Sequence, residues 1–237
     1  MTYQFIVKPF RFKQFEIQQS TYVFRVGTDG VLLGALASVQ NASKVLEIGT
    51  GTGLITLMLA QRNSQADFLG IDINEEAVNL TKTNFNNSRF HLRLSNIFHD
   101  FKTFKTDVRF DLIVSNPPYF EESNSDKDKL ARQTIELNFK ELISGASKLL
   151  SDNGIFSVII PAESGDSFVE IAKDNGLILN KKINIKGIEN SKEKRLILEF
   201  SIFETTLKVI DFVIEKSPRQ YSDQYLELTK EFHVFGK

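Results

Sequence analysis

The sequence predicts an α/β fold built on a doubly wound, mostly parallel sheet. From Lys44 onward, short apolar runs alternate with helical stretches, an order that lays successive strands side by side with helices on both faces. The chain has 237 residues, of which 41% are hydrophobic and 25% charged, enough to bury one sizeable core. We therefore expect a single domain over residues 1–237, with an N-terminal extension at 1–43 and a core at 44–237.

The N-terminal extension is predicted to be a β-hairpin followed by a helix. Residues 14–18 and 22–26 alternate in polarity around a turn at 19–21. Thr28 or Asp29 is placed to cap a helix over 31–36. The core elements that follow are expected as strands at 45–48, 68–71, 90–94, 110–114 and 155–160 and helices at 53–62, 74–86, 134–150 and 164–175. Two final strands, at 177–185 and 196–202, have no helix between them and predict an antiparallel edge.

Composition excludes several classes of protein. The chain has no cysteine and only three scattered histidines, so neither a disulfide framework nor a Cys/His zinc site is possible, and we expect no metal. No apolar stretch suits a signal peptide or a membrane span, which predicts a cytoplasmic protein with no membrane attachment. Net charge is −1, divided as +3 over residues 1–44, −6 over 45–175 and +2 over 176–237. The basic residues are therefore in excess at the two ends of the chain, and a nucleic acid would be bound there.

A glycine-rich loop follows the first core strand, at the strand end where doubly wound sheets bind ligands. Residues 47–53 are Glu-Ile-Gly-Thr-Gly-Thr-Gly, and glycines let the backbone approach a ligand closely. The next strand ends in Asp72, 21 residues after Gly51, where a carboxylate can accept hydrogen bonds from both ribose hydroxyls. The pair predicts a nucleoside site; the alternative is a tight turn with Asp72 capping the next helix. Leu54 stands where the dinucleotide fingerprint needs glycine, which disfavours a nicotinamide or flavin enzyme.

This pattern resembles the S-adenosylmethionine site of class I methyltransferases. The resemblance implies their Rossmann-like sheet, mostly parallel with an antiparallel last strand, and S-adenosyl-L-methionine as the cofactor. In that family the loop packs on the methionine part of the cofactor and the acid at Asp72 holds the ribose. Asn96 occupies a position that the family usually fills with Asp to bind the adenine amino group. The implied cofactor-binding residues are Glu47, Gly49, Gly51, Gly53, Asp72 and Asn96.

A second motif, Ser-Asn-Pro-Pro-Tyr at residues 115–119, follows the fourth core strand and so lies at the same edge. Methylation of an exocyclic amine needs acceptors for its two N–H groups, so that the nitrogen lone pair can point at the methyl group. The side-chain carbonyl of Asn116 and the backbone carbonyl of Pro117 can supply them, and Tyr119 can stack on a planar target. The alternative is a rigid turn. The motif resembles the N-P-P-Y of methyltransferases that act on adenine, cytosine, guanine or glutamine amide nitrogens.

The chain most closely resembles the bacterial valine-tRNA adenine-37 N6-methyltransferases. The resemblance covers nearly the whole chain, through residues 10–15, 26–35, both motifs and 154–161. No segment is long enough for the extra domains of protein-glutamine or DNA methyltransferases. The resemblance implies an enzyme that methylates N6 of an adenine in tRNA, with adenosine 37 of valine tRNA as the target. It also implies that the loop at Thr28 closes over the cofactor, whereas a simple helix cap is the alternative.

The N-terminus interleaves Lys8, Arg11 and Lys13 with three phenylalanines, a pattern that suits single-stranded RNA because cations bind phosphates and rings stack on bases. Alternating phenylalanines are also typical of a buried strand face. A second basic stretch at 181–195 is either another RNA contact or a solvated edge.

Three other functions stay open on the sequence. The substrate of an amino methyltransferase is alternatively a ribosomal RNA guanine, a DNA adenine or a protein glutamine. A non-catalytic module that binds RNA or S-adenosylmethionine is the alternative from another class. We expect tRNA as the partner and favour a monomer.

Overall fold

The computed structural model describes residues 7–118 and 138–234. Its strands are β1 (Val7–Arg11), β2 (Glu16–Gln19), β3 (Lys44–Ile48), β4 (Asp67–Asp72), β5 (Leu94–Phe98), β6 (Phe110–Ser115), β7 (Leu150–Pro161), β8 (Ile178–Ile188), β9 (Glu193–Ser201), β10 (Lys208–Ser217) and β11 (Gln220–Tyr221). Its α-helices are α1 (Thr28–Leu36), α2 (Leu54–Arg62), α3 (Glu75–Asn86), α4 (Phe139–Leu149), α5 (Gly165–Asp174) and α6 (Asp223–Thr229).

Over the described residues, the fold is built on a nine-stranded sheet with the strand order β11-β10-β8-β9-β7-β6-β3-β4-β5. The strands from β7 to β5 pair in parallel, whereas β9 is antiparallel to both of its neighbours, β7 and β8. The predicted α/β class and the antiparallel strand are confirmed. That strand is not the last one, because β10 adds to β8 in parallel and the short β11 follows it.

Helices cover both faces of the sheet. Leu112 and Val114 of β6 join the core beneath α1 and α2, whereas Ile113 joins the core beneath α4 and α5. Because successive strand side chains point to opposite faces, a strand covered on both sides must be apolar throughout, which is why β6 reads as one apolar run.

Close packing fixes helix α1 against α2. A Cβ on Gly34 would lie 2.8 Å from the Cβ of Met58, so only glycine allows this approach. A Cβ on Gly30 would lie 3.0 Å from a Leu54 methyl group. The start of α1 is therefore held beside the start of α2, directly after the glycine loop.

The N-terminal extension contains the predicted hairpin and helix, but in a different register. The strands are β1 and β2, which pair antiparallel, and the predicted second strand at 22–26 is not a strand. Helix α1 begins at Thr28 after Gly27, and no side chain in the described ranges caps it, so the predicted cap by Thr28 or Asp29 is wrong. Asp29 bonds elsewhere, as described below.

Two core predictions also shift. The third core strand runs over Leu94–Phe98, because pairing with β4 begins at Leu94 and residues 91–93 form a 3-10 turn. Helix α4 begins at Phe139, where Asn138 and Glu141 form a reciprocal capping box. The first part of the predicted helix at 134–150 lies outside the described residues.

Candidate functional site

Four parallel strands end at one edge of the sheet. Ile48 of β3 lies opposite Ile71 of β4 and Ser115 of β6, and Asp72 of β4 lies opposite Phe98 of β5. The Ser115 hydroxyl donates to the Ile48 carbonyl over 2.9 Å and ties the end of β6 to that of β3. The two motifs found in the sequence therefore start from adjacent, linked strand ends.

The glycine loop needs glycine at each of its three glycine positions. Gly49, Gly51 and Gly53 have φ values of 75°, 56° and 79°, in the left-handed region that side chains disfavour. A Cβ on Gly53 would lie 2.6 Å from the Phe85 ring, so this glycine also serves packing. Among the described residues, a Cβ on Gly49 or Gly51 would meet nothing within 4 Å. The loop thus presents bare backbone to an open space, which is what a close-fitting ligand requires.

Asp72 is bonded to the glycine loop itself. One carboxylate oxygen accepts from the Gly51 N–H at 2.8 Å, and the other accepts from the Asn74 N–H at 2.9 Å. Asn74, and not Asp72, caps helix α3. Each carboxylate oxygen has a second lone pair, so the half-buried Asp72 retains acceptor capacity toward a ligand.

Glu47 is buried at the end of β3 and points toward α2. A single carboxylate oxygen accepts from the Thr50 hydroxyl, the Thr56 N–H and the Thr56 hydroxyl, at 3.0, 3.0 and 2.5 Å. Burial raises the pKa of Glu47 to about 7, against the opposing effect of these three hydrogen bonds, and the nearby charge of Asp72 raises it further. The contacts join the glycine loop to the first turn of α2.

Asn96 lies within strand β5, although it follows the third core strand as predicted at 90–94. Its amide nitrogen donates to the Val78 carbonyl of α3 at 2.7 Å, and its carbonyl oxygen makes no hydrogen bond within the described part of the chain. Two exposed apolar residues that sequence reasoning missed stand nearby: Ile73 follows Asp72, and Phe98 lies opposite it. The sequence feature that could have revealed them is an apolar residue at the very end of a strand, a position that faces water.

Asn116 follows β6 directly and is half-buried, and Pro117 is buried while Pro118 is exposed. The edge therefore carries Asn116 beside the strand end that bears the glycine loop. Tyr119, the third predicted catalytic residue, lies outside the described residues.

Thr28 is exposed in the first turn of α1. Its neighbour Asp29 pairs with Arg195 of β9, with 2.8 Å between the guanidinium Nε and a carboxylate oxygen. Arg195 lies opposite Pro161, the last residue of β7, so this pair holds the start of α1 at the carboxyl-end edge.

The model of the methyltransferase small domain family matches residues 24–171, more than half of the chain. The matched stretch includes the glycine loop, Asp72 and Asn116. The chain belongs to the methyltransferase small domain family.

Curated relatives are similar to this methyltransferase over nearly their full length. The tRNA1(Val) (adenine(37)-N6)-methyltransferase of Flavobacteriaceae bacterium (strain 3519-10) is 51% identical over 97% of this chain and 100% of the relative. The protein of that name from Phocaeicola vulgatus is 42% identical over 95% of this chain and 97% of the relative.

Solved structures share the fold. A predicted O-methyltransferase from Agrobacterium tumefaciens superposes with a TM-score of 0.68 at 17% identity, over 86% of this chain and 96% of that one. The ribosomal protein L11 methylase of Lactobacillus delbrueckii subsp. bulgaricus gives a TM-score of 0.54 at 17% identity, over 76% and 80% of the two chains. At this identity the likeness shows the Rossmann-like methyltransferase fold alone.

The predicted RNA-binding cations of this methyltransferase lie on its hairpin and are exposed. Arg11 pairs with Glu16 at 2.8 Å, and the Lys13 ammonium donates to the Lys230 carbonyl, whereas Lys8 has no ion pair with any described residue. Of the phenylalanines between these cations, Phe12 and Phe15 are core residues, which is the alternative to stacking on RNA bases. Both rings are buried and stacked in the core beneath the hairpin. In the second basic stretch, Lys181 pairs with buried Glu199 and Lys186 with Glu193.

Over residues 7–118 and 138–234, no three or more acidic or histidine side chains are grouped so that they could hold a metal ion. Over the same ranges no helix is long and apolar enough to cross a membrane.

Proposed function

We propose that the protein is an S-adenosylmethionine-dependent methyltransferase that methylates N6 of adenosine 37 in valine tRNA. The observation that carries the proposal is the placement of the bare glycine loop, Asp72 and Asn116 at one edge of the sheet. The similarity over nearly the whole chain to enzymes named for this reaction specifies the substrate.

The residues present fit the cofactor. The open space above Gly49 and Gly51 admits the methionine part, and Asp72 accepts hydrogen bonds from the ribose hydroxyls. Exposed Ile73 and Phe98 supply apolar contacts for a planar adenine, and the Asn96 carbonyl oxygen is an acceptor for its amino group. Thr28, held by the Asp29–Arg195 pair, covers the site from α1. Glu47 acts on the cofactor by shaping the loop through Thr50 and Thr56.

S-adenosylmethionine, when bound, supplies an electrophilic methyl group. The chain itself binds and orients the target amine. The Asn116 side chain and the Pro117 carbonyl accept the two N–H groups of adenine N6, which turns the nitrogen lone pair out of the ring plane as positive charge develops. Tyr119 stacks on the flat face of the base. This is catalysis by positioning and electrostatics, and it requires no strong base.

The remaining parts of the proposal concern the protein as a whole. Residues 1–237 act as one methyltransferase domain, with 1–43 as its extension and 44–237 as the catalytic core. The enzyme works as a cytoplasmic monomer on tRNA, and Lys8, Arg11 and Lys13 bind phosphates of that RNA.

The direct test is methyl transfer to an unmodified valine tRNA transcript from labelled S-adenosylmethionine, followed by nucleoside mass spectrometry. We expect N6-methyladenosine in the wild-type transcript and none in a transcript in which guanine replaces adenine 37. Ribosomal RNA, DNA and total protein serve as parallel acceptors. Label incorporated into one of these, with none in the tRNA, would refute the proposed substrate and leave the methyltransferase assignment intact.

A further inference from the structure

We infer that residues 20–25, which we term the aromatic loop, form a stacking platform for unpaired nucleotides of the substrate RNA. The inference rests on the proposed function, in which that substrate is an RNA. It concerns where the nucleotides beside the target base are held, a task that the glycine loop and Asn116 leave unassigned.

The aromatic loop exposes two large rings that lie two residues apart in the sequence. The Tyr22 and Phe24 side chains are 73% and 85% exposed, while Val23 between them is buried. Isolated exposed apolar residues are ordinary on a surface, but two exposed rings two residues apart in one short loop offer a larger apolar contact surface. The alternation explains why the sequence resembles a strand there: Val23 anchors the loop and its neighbours point outward.

Hydrogen bonds close the aromatic loop at its base. The Val26 N–H donates to the side-chain carbonyl of Gln19 at 3.1 Å, and the Gln19 amide donates to the Lys8 carbonyl at 2.8 Å. Within the loop, the Tyr22 N–H donates to the Ser20 hydroxyl at 3.1 Å. The rings are thus presented on a segment whose two ends are fixed, which lowers the entropy lost when a base stacks on them.

The aromatic loop stands beside the proposed active site. Gln18 exchanges backbone hydrogen bonds with the Asn84 side chain at 2.8 and 3.1 Å, and Asn84 also donates to the Thr52 carbonyl of the glycine loop at 2.8 Å. At its other end the loop leads into α1, whose start packs beside Leu54. One end of the aromatic loop is therefore linked to the glycine loop through Asn84, and the other leads into a helix that packs on Leu54, the residue directly after the glycine loop.

The charge of this surface identifies its occupant as a polyanion with flat groups. Arg25 is exposed and has no ion pair among the described residues, and exposed Lys8 adjoins the base of the loop through its carbonyl. Residues 20–26 include no acid, and the next one, Asp29, is paired with Arg195. Rings that stack on bases, beside cations that meet phosphates, are the combination that single-stranded RNA binding uses.

The test compares two double variants for binding to an unmodified valine tRNA transcript by fluorescence anisotropy. Tyr22→Ala/Phe24→Ala removes both rings. Leu92→Ala/Val209→Ala is the matched control, because Leu92 is 89% exposed next to the amino end of β5, away from the site, and Val209 is exposed on β10. We expect the ring variant to bind tRNA about 10- to 100-fold more weakly and the control to bind like the wild type. S-adenosylmethionine affinity, measured by calorimetry, should not change in either.

Exchange of the rings, as Tyr22→Phe/Phe24→Tyr, should restore tRNA affinity, because stacking needs the ring and not the hydroxyl. Arg25→Gln should reduce the salt dependence of tRNA binding by about one phosphate contact.

Unchanged tRNA affinity in the ring variant would overturn the inference, and so would an equal loss of S-adenosylmethionine affinity. Self-association of the wild type that the ring variant abolishes, with tRNA binding intact, would instead assign the rings to a contact between protein copies. Methyl transfer by the wild type judges the proposed function separately, since the inference depends only on the difference between variants.

Discussion

Glu47, at the base of the proposed cofactor site, makes the stability of the protein depend on pH. Its buried carboxyl has a pKa of about 7, against 4.5 for an ordinary glutamate, chiefly because burial disfavours the charged form. Between these two values the unfolded chain has lost this proton while the folded chain retains it. The stability that Glu47 contributes is therefore complete below pH 4.5 and declines as the pH rises to about 7.

Glu47→Gln keeps the acceptor oxygen for Thr50 and Thr56 but removes the titration. We expect its free energy of unfolding to rise relative to wild type by about 1–3 kcal/mol between pH 4.5 and pH 8. Urea unfolding of both proteins at several pH values measures this difference. A constant difference across that range would mean that Glu47 titrates normally and that the buried hydrogen bonds fully compensate for its burial.

At the catalytic edge, the expected effect of Asn116 is on methyl transfer rather than on cofactor binding. Asn116→Ala removes the acceptor that we propose for the target amine, so single-turnover transfer to tRNA should fall about 10²- to 10³-fold. Asn116→Asp keeps an acceptor and should retain partial activity. Calorimetry should find S-adenosylmethionine affinity largely unchanged in both. Wild-type transfer rates in Asn116→Ala would show that residues 116–118 form only a turn.

At the scale of elements, the start of α1 depends on a contact made across the chain. The Asp29–Arg195 pair joins it to β9, and both side chains are only partly exposed. Such a pair contributes little to stability, about 1 kcal/mol or less, but it fixes where Thr28 lies.

Arg195→Gln should therefore weaken S-adenosylmethionine binding about threefold, while the free energy of unfolding falls by no more than about 1 kcal/mol. Asp29→Asn should have the same effect, and the double variant should be no worse than either single one, because each removes the same contact. Additive losses of cofactor affinity would show that the two side chains act separately.

The elements that could be predicted from sequence are those whose pattern is local. The runs of β3, β4 and β6 are apolar because both faces are covered, and the glycines of the predicted loop have positive φ values, which favour glycine. The predicted register of the hairpin is wrong because residues 22–26 alternate in polarity as a strand does. In the structure, the Gln19 side chain closes them into a loop. Strand β10 was not predicted, because its pairing with β8 makes it a strand and no local pattern specifies that pairing. Its residues Val209 and Ile210 are exposed.

The site divides in the same way. Glycine spacing and strand ends located Asp72 and Asn116, since the topology alone sends them to one edge. The Asp29–Arg195 pair and the neighbourhood of Ile73 and Phe98 depend on strand order and register, which no local pattern specifies. The partner of Lys13 likewise could not be predicted from a local pattern, because the Lys230 carbonyl comes from the far end of the chain.

At the scale of the whole molecule, the two ends of the chain differ in net charge from the segment that carries both motifs. Residues 45–175, which carry both motifs, have a net charge of −6, while the ends are positive. The hairpin packs on the face of α1, α2 and α3, through Phe12, Phe15 and Ile17, so its cations lie on the same side of the sheet as the aromatic loop. RNA phosphates should be bound there and not by the acidic core.

Lys8→Ala/Arg11→Ala/Lys13→Ala should raise the KM for tRNA and reduce the slope of log affinity against log salt. The reason is that with fewer phosphate contacts, fewer counterions are released when the RNA binds. The slope should fall by fewer than three contacts, since Arg11 already pairs with Glu16 and Lys13 bonds to the Lys230 carbonyl. The matched control is Lys105→Ala/Lys148→Ala/Lys173→Ala, which removes three exposed cations, two of them on α4 and α5 of the opposite face. Anisotropy titrations at 50 to 200 mM salt measure both variants, and calorimetry should find S-adenosylmethionine affinity unchanged. Equal slopes in the two variants would move the phosphate-binding surface away from the hairpin, with the stretch from Lys181 to Arg195 next to be tested.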